Sequence, residues 1–344
     1  MKRLLFIGPA PQNIGGISIH IRRLTGLIKK DYEVDYVDEG HVRYDGFFNL
    51  RSGNVLRYLS KVLRADIIHL HSGTWQLRTI HILICKVLLR KRVIVTIHRD
   101  PNIEPHTGLT KRLLKQCDCA ILVNMEGYQA MQCESNCKYV LLPAFLPPDM
   151  DSEAPLPEEL FNWIYDARKN EGSYIMCSNA WNLVMHSGED LYGLDMCIEA
   201  MINLRGEQEK KFNLVFVVAS NTGQQERMTS YKKLIAENGL DRRVLIWEKP
   251  ASFVRLLQLC DLVLRTTNTD GDAVSIREAL YFGKPVLASD VVRRPEGAEL
   301  FKTRDMEDLT EQIRRISSNG AKMKMPPPVD FHALYKNIYE KSNK

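Results

Sequence analysis

Asp270-Gly271-Asp272-Ala273-Val274-Ser275-Ile276-Arg277-Glu278 runs on through Ala279-Leu280-Tyr281-Phe282-Gly283-Lys284-Pro285 into Val286-Leu287-Ala288-Ser289-Asp290. An apolar β-rich run, Leu262-Val263-Leu264, comes just before it. Gly271 allows a tight turn, Val274, Ile276, Leu280 and Tyr281 recur at helical spacing, and Gly283 and Pro285 end the helix. The stretch therefore predicts strand, loop, helix, turn, strand, which is one unit of an α/β fold. Turns of this kind lie at the carboxyl ends of parallel strands. There the free N–H groups and the positive end of the helix dipole favour anions, so phosphates fit.

Asp270 and Glu278 stand eight residues apart, one in the loop before the helix and one on its second turn. An ionised carboxylate is acceptor-only and can bridge two adjacent hydroxyls of a ribose or a sugar ring. The same spacing also suits a solvated acid at a helix start and an ordinary surface glutamate. The neighbouring residues decide between them. An acid, a glycine, two residues, then a helix with Glu-Ala-Leu that ends in Gly-Lys-Pro-Val resembles the E-x7-E motif of family 4 glycosyltransferases of the GT-B fold. Here the first acid is Asp270 and not Glu. The resemblance implies that Glu278 holds the nucleotide ribose, that Asp270 contacts the transferred sugar, and that the amides of Gly271, Asp272 and Ala273 face sugar and diphosphate. It also implies a retaining mechanism without a metal or other cofactor, the nucleotide-sugar donor being a substrate.

The chain as a whole accommodates that fold. Its 344 residues suffice for two domains of ordinary size, and 26% charged with 44% hydrophobic residues is a globular composition. The apolar run at 4–7 stops at Gly8-Pro9, too soon for a signal peptide, and reads as a first buried strand. The apolar stretch at 80–89 contains His81 and Lys86 and is too short to span a bilayer. Eight cysteines sit mostly in apolar runs, as expected of reduced thiols in a cytoplasmic protein. Cys117, Cys119, Cys133 and Cys137 can be drawn as a zinc site, but none of their spacings is C-x2-C, and buried thiols are the better expectation. Residues 1–150 hold 21 Lys and Arg against 13 Asp and Glu, so the front half is basic while the remainder is slightly acidic. No nucleic-acid motif accompanies that charge. Arg22, Arg23, Lys29 and Lys30 mark either a solvated helix face or a patch facing an acceptor or a membrane.

Along the chain, strands and helices alternate. A strand at 2–8 leads through Gly15-Gly16 into a helix, a pair that lets backbone approach a ligand or simply turns. By resemblance, Gly15 and Gly16 lie where such enzymes meet donor phosphates and acceptor. A strand at 65–71 and a helix at 77–89 lead to a strand at 93–97, which His98 leaves just before Arg99-Asp100-Pro101. His98 matches the His of the Thr-x-His segment that approaches the donor sugar in that family. Further strands are expected at 119–124 and 139–142, with a helix at 126–133 between them. Five prolines between 143 and 157 then mark a linker. A second series restarts at 174–177, with strands at 213–219 and 244–247, a helix at 231–238, and a helix at 253–260 capped by Ser252. A final helix at 331–341 is expected, by the resemblance, to return to the front domain.

The expected organisation is thus α/β, two Rossmann-like doubly wound parallel-sheet domains facing across a cleft. Residues 1–147 form the acceptor domain, 148–157 the linker, 158–325 the donor domain and 326–344 the returning helix. One departure matters. The family commonly clamps the diphosphate with an Arg and a Lys after the second domain's first strand, whereas 178–195 holds neither, and Tyr192-Gly193 stands where Lys-Gly is expected. Arg265 is the first candidate to replace the clamp, with Arg277, Arg293 and Arg294 as others. The function expected is sugar transfer from a nucleotide-sugar donor to a saccharide or lipid-linked saccharide acceptor in envelope polysaccharide assembly. The basic front domain would touch the membrane peripherally, and nucleic acid is not an expected partner. A sugar-nucleotide epimerase of the same fold and a non-catalytic binding homologue remain the alternatives.

Overall fold

The computed structural model describes every residue except 14, 99–106, 132–137, 221, 322–324, 326 and 341–344. Contacts divide the chain into one unit of residues 1–146 and 328–344 and a second of residues 147–327.

The first unit is built on seven strands: β1 (Lys2–Gly8), β2 (Tyr32–Asp38), β3 (Phe48–Asn49), β4 (Ile67–Leu70), β5 (Arg92–Ile97), β6 (Cys119–Leu122) and β7 (Lys138–Leu141). Their order is β3-β2-β1-β4-β5-β6-β7, and every pairing is parallel. A parallel sheet covered on both faces needs strands that are apolar on both faces, and Leu4 to Ile7 of β1 are accordingly all at most 1% exposed. On one face, the helices Val55–Arg64 and Trp75–Ile82 cover Leu5, Ile7, Ile68 and Leu70, and the Tyr58 hydroxyl meets His81 Nδ1 at 2.8 Å. The alternate residues Phe6 and His69 point to the other face. There the helix Gly16–Ile28 packs with the C-terminal helix Phe331–Glu340, whose Tyr335 and Tyr339 are fully buried. The C-terminal helix is tied down by Tyr339 to His69 Nδ1 at 2.7 Å, by Arg92 to the Ile338 carbonyl at 3.0 Å, and by His332 and Lys336 to Asp31.

Local differences from the sequence expectations have identifiable causes. The helix expected over 77–89 is α-helical only to Ile82 and then widens into a π-turn at Leu83–Leu88, closing where Arg90 takes φ 51. Arg23, expected on a polar helix face, is buried, with its Nη1 donating to the Leu146 carbonyl at 3.1 Å, while Arg22, Lys29 and Lys30 are exposed. The helix expected at 126–133 spans Met125–Met131, and its last expected residues lie outside the described ones.

The second unit carries β8 (Ser173–Ala180), a short antiparallel hairpin of β9 (Met185–His186) and β10 (Glu189–Asp190), then β11 (Lys211–Val218), β12 (Val244–Trp247), β13 (Leu262–Arg265), β14 (Val286–Ser289) and β15 (Glu299–Phe301). The main sheet has the order β12-β11-β8-β13-β14-β15 and is parallel throughout. The sequence around 262–290 forms the expected unit: β13, a loop, the helix Val274–Tyr281, Gly283 at φ 64, and β14. Because β8 and β13 are neighbours, the loops leaving their carboxyl ends meet. That meeting makes the site.

Candidate functional site

Arg265 ends β13 and turns its guanidinium back onto Asp270, with Nε and Nη2 donating to the two carboxylate oxygens at 2.9 and 3.0 Å. Arg294, beyond β14, donates from Nη1 to the same carboxylate at 2.7 Å. Thr267 Oγ1 and the Gly271 amide add bonds at 3.2 and 3.0 Å. Burial opposes ionisation of Asp270, but the two guanidiniums outweigh it and hold the carboxyl well below the usual carboxylate range. Two cations on one anion leave this buried cluster with a net positive charge.

The two arginines are not equivalent. The Arg294 side chain is 2% exposed, and its remaining donors go to the Ser289 carbonyl, Ser289 Oγ and Thr267 Oγ1 at 2.9 to 3.1 Å. Arg265 is 12% exposed, and its Nη1 takes no part in the bonds to Asp270. Its guanidinium lies over the Tyr192 ring, 5.3 Å from the centroid. Tyr192 occupies the position where the resemblance expects a lysine, so a cation does stand there, delivered from the neighbouring strand.

Gly193 allows that approach. It has φ 70, and a Cβ on it would come within 2.3 Å of the Thr266 carbonyl oxygen. Thr266 Oγ1 in turn donates to the Tyr192 and Gly193 carbonyls at 3.0 Å. Asp190 fixes the turn from below, accepting from the Tyr192 amide at 2.9 Å and the Tyr231 hydroxyl at 3.0 Å, and burial pushes its carboxyl up. The helix Leu194–Asn203 starts from Gly193 beside Arg265.

The helix Val274–Tyr281 has no side-chain cap at Ala273; its Ile276 amide turns to the Ala273 carbonyl at 3.2 Å, so the amides of Val274 and Ser275 are the ones placed to meet an anion. Glu278 on its second turn is 4% exposed. Arg277 points elsewhere and pairs with Asp272 at 2.5 Å. Two expectations change here. The Gly271 amide donates to Asp270, so it faces the carboxylate instead of a ligand. Asp270, expected to meet a sugar, receives five donors on two oxygens, which exceeds its roughly four lone-pair sites.

In the first unit His98 follows β5 and is half-buried, with Nε2 at 3.1 Å from Nδ1 of His71. Four imidazoles gather there: His71 packs on His69 at 4.1 Å between centroids, and His20 lies 5.3 and 5.2 Å from His71 and His98. Burial holds His20 down at about 4 and His69, His71 and His98 well below the ordinary value, so all four are neutral near pH 7. Gly15 and Gly16 open the first helix, and a Cβ on either would meet nothing within 4 Å. Their backbone therefore borders open space. Arg99, Asp100 and Pro101 lie outside the described residues, as do Cys133 and Cys137; Cys117 and Cys119 are buried, and the Cys117 thiol donates to the Leu113 carbonyl at 3.8 Å.

Sequence reading missed Asp190 and Thr266, which seat Gly193 and carry no motif. Their only sequence signal is a polar residue at a strand exit.

Comparison with known proteins agrees with this architecture. No curated protein matches the chain in sequence. Among solved structures, Anabaena HepE in complex with UDP and glucose superposes with a TM-score of 0.66 at 16% identity, covering 93% of this chain and 90% of that one. A sucrose-phosphate synthase from Thermosynechococcus elongatus gives 0.64 at 15% identity over 93% and 90%. A Burkholderia xenovorans trehalose-phosphate synthase in complex with glucose-6-phosphate gives 0.64 at 11% over 98% and 96%. The fold is that of the GT-B glycosyltransferases, and residues 184–319, which contain the whole Tyr192, Arg265, Asp270 and Glu278 cluster, match the family model described as glycosyl transferases group 1.

Proposed function

We propose that the chain is a retaining, metal-independent glycosyltransferase that moves a sugar from a nucleotide-sugar donor to a saccharide or lipid-linked saccharide acceptor. The observation that carries this reading is the placement of Arg265. Asp270 and Tyr192 hold its guanidinium beside the starts of two helices, inside the segment that matches the glycosyl transferase model. A leaving nucleoside diphosphate gains negative charge in the transition state, and a fixed cation with uncapped helix N–H groups stabilises it without reorganising. Glu278 takes the ribose hydroxyls, Asp272 and Ala273 border the phosphates, and His98 meets the transferred sugar. UDP and UDP-glucose complexes of HepE make uridine nucleotides the first donors to try.

The lipid-linked acceptor and peripheral membrane contact draw support from the surface of the first unit. Ile80, Leu83, Val87 and Leu88 are exposed on one helical segment and Leu56 on the helix Val55–Arg64, and Arg57, Arg64 and Arg90 are exposed as well. Exposed apolar and arginine side chains together suit an anionic interface. Among the described residues no helix is long and apolar enough to cross a membrane.

The test is a panel of nucleotide sugars assayed for binding and for slow donor hydrolysis, with the Arg265→Ala variant alongside. The reading expects one donor to bind and turn over, and Arg265→Ala to cut turnover at least about tenfold, equivalent to about 1.4 kcal/mol, while the bare nucleoside binds as before. Conversion of the donor to an epimer would favour an epimerase, and binding without turnover a non-catalytic role.

A further inference from the structure

We propose that His71 is a positioning residue for His98, fixing its tautomer so that His98 offers an Nδ1–H donor to a substrate oxygen; this rests on the reading that His98 meets the transferred sugar. The two residues leave adjacent parallel strands, His71 just after β4 and His98 just after β5. Their facing atoms, Nδ1 of His71 and Nε2 of His98, are 3.1 Å apart. A neutral imidazole carries one ring proton, so only two arrangements make this bond. Either His71 donates from Nδ1 and the His98 proton sits on Nδ1, or His98 donates from Nε2 and the His71 proton sits on Nε2.

The surroundings of His71 choose between them. Its Nε2 is buried and has no hydrogen-bond partner among the described residues, and the residue is 0% exposed. The second arrangement would strand an N–H donor there, whereas the first leaves only a bare lone pair. Orphaned buried donors are the rarer and costlier defect. The ring is also held in place, with Phe6 at 5.4 Å and His69 at 4.1 Å between centroids. Gly8 makes room for it, since a Cβ there would fall 2.9 Å from His71 Cβ. His71 thus has one orientation and one tautomer, and it passes that choice to His98. A donor at the sugar can bind a hydroxyl or ring-substituent oxygen without adding full charge.

The tautomers can be read directly in the intact chain. With histidine 15N-labelled, long-range proton–nitrogen correlation spectra should show His98 protonated on Nδ1 and bare at Nε2, and His71 likewise; a proton on His98 Nε2 would overturn the proposal. His71→Asn retains an amide donor near the Nδ1 position, whereas His71→Phe fills the space without one. His71→Asn should keep the His98 tautomer and donor turnover within about threefold, while His71→Phe mixes the tautomers and lowers kcat at least about tenfold with nucleoside diphosphate affinity unchanged. Equal loss in both variants, or full turnover in His71→Phe, would reduce the pair to core packing. Because the spectra need no substrate, the predicted tautomer in a chain that turns over no donor would sink the transferase reading alone.

Discussion

Replacing Asp270 by Asn should be among the most destabilising single changes in the second unit, and the structure sets both its size and its rank. The carboxylate is 8% exposed and is shared by two guanidiniums that are 12% and 2% exposed. An amide of the same shape keeps one acceptor oxygen but removes the charge, leaving two like cations facing each other out of water. Removing one member of a buried ionic group costs about 3–5 kcal/mol. Arg265→Ala is milder, because Asp270 keeps Arg294, Thr267 and the Gly271 amide; losing one charge-assisted pair costs about 1.5–3 kcal/mol. Urea unfolding followed by tryptophan fluorescence reports on this unit, which contains Trp163, Trp181 and Trp247. The double variant should be less destabilised than the sum of the two, by about 0.5–3 kcal/mol, because the residues share the bond that is lost. An Asp270→Asn midpoint equal to wild type, or an Arg265→Ala cost exceeding that of Asp270→Asn, would refute the triad as the element that organises the loop.

Glu278→Gln should weaken nucleoside diphosphate binding by about 1.5–3 kcal/mol, roughly tenfold to a hundredfold by calorimetry, if the carboxylate holds the ribose. Gly193→Ala should cost about 3 kcal/mol in unfolding measurements, since φ 70 and the 2.3 Å approach to Thr266 both oppose a side chain, whereas Gly271→Ala, with nothing within 4 Å, should stay within about 0.5 kcal/mol. Acid should weaken the first unit before the second. His20 falls from 6.5 to about 4 on folding, so its contribution is present above pH 6.5 and is lost as pH falls towards 4, about 2 kcal/mol by pH 5 from this residue alone, with His69, His71 and His98 acting in the same direction. Asp190 acts oppositely in the second unit, its raised carboxyl favouring the folded state as pH falls. Thermal unfolding from pH 7 to pH 5 that spares the first unit's transition would contradict the neutral histidine cluster.

The stretch at 262–290 was legible because each signal in it is local: an apolar strand, a glycine turn, a helical period, and Gly283 and Pro285 as stops. The helix Leu194–Asn203 was not singled out, because six of its ten residues are buried and only Asp195, Glu199 and Asn203 mark a narrow polar stripe. β3 is two residues long and β15 three, too short for any alternation to register. At the site, the sequence singled out Arg265, Asp270 and Glu278 but not how they combine. Arg294 reaches Asp270 from 24 residues away only because β13 and β14 are neighbours, and Arg265 reaches Tyr192 only because β13 also adjoins β8. Asp270 closes onto Arg265 within its own loop, a contact between residues five apart. The histidine cluster was hidden for the same reason, since His20, His69, His71 and His98 converge from three separate elements.

The most direct test of the donor site is an experimental structure of the chain with a bound nucleoside diphosphate, uridine diphosphate first. A phosphate oxygen should lie within about 3.2 Å of Arg265 Nη1, the ribose hydroxyls on Glu278, and Asp270 should still grip both arginines. A nucleotide seated away from the loop that joins Arg265 to Glu278 would contradict this placement.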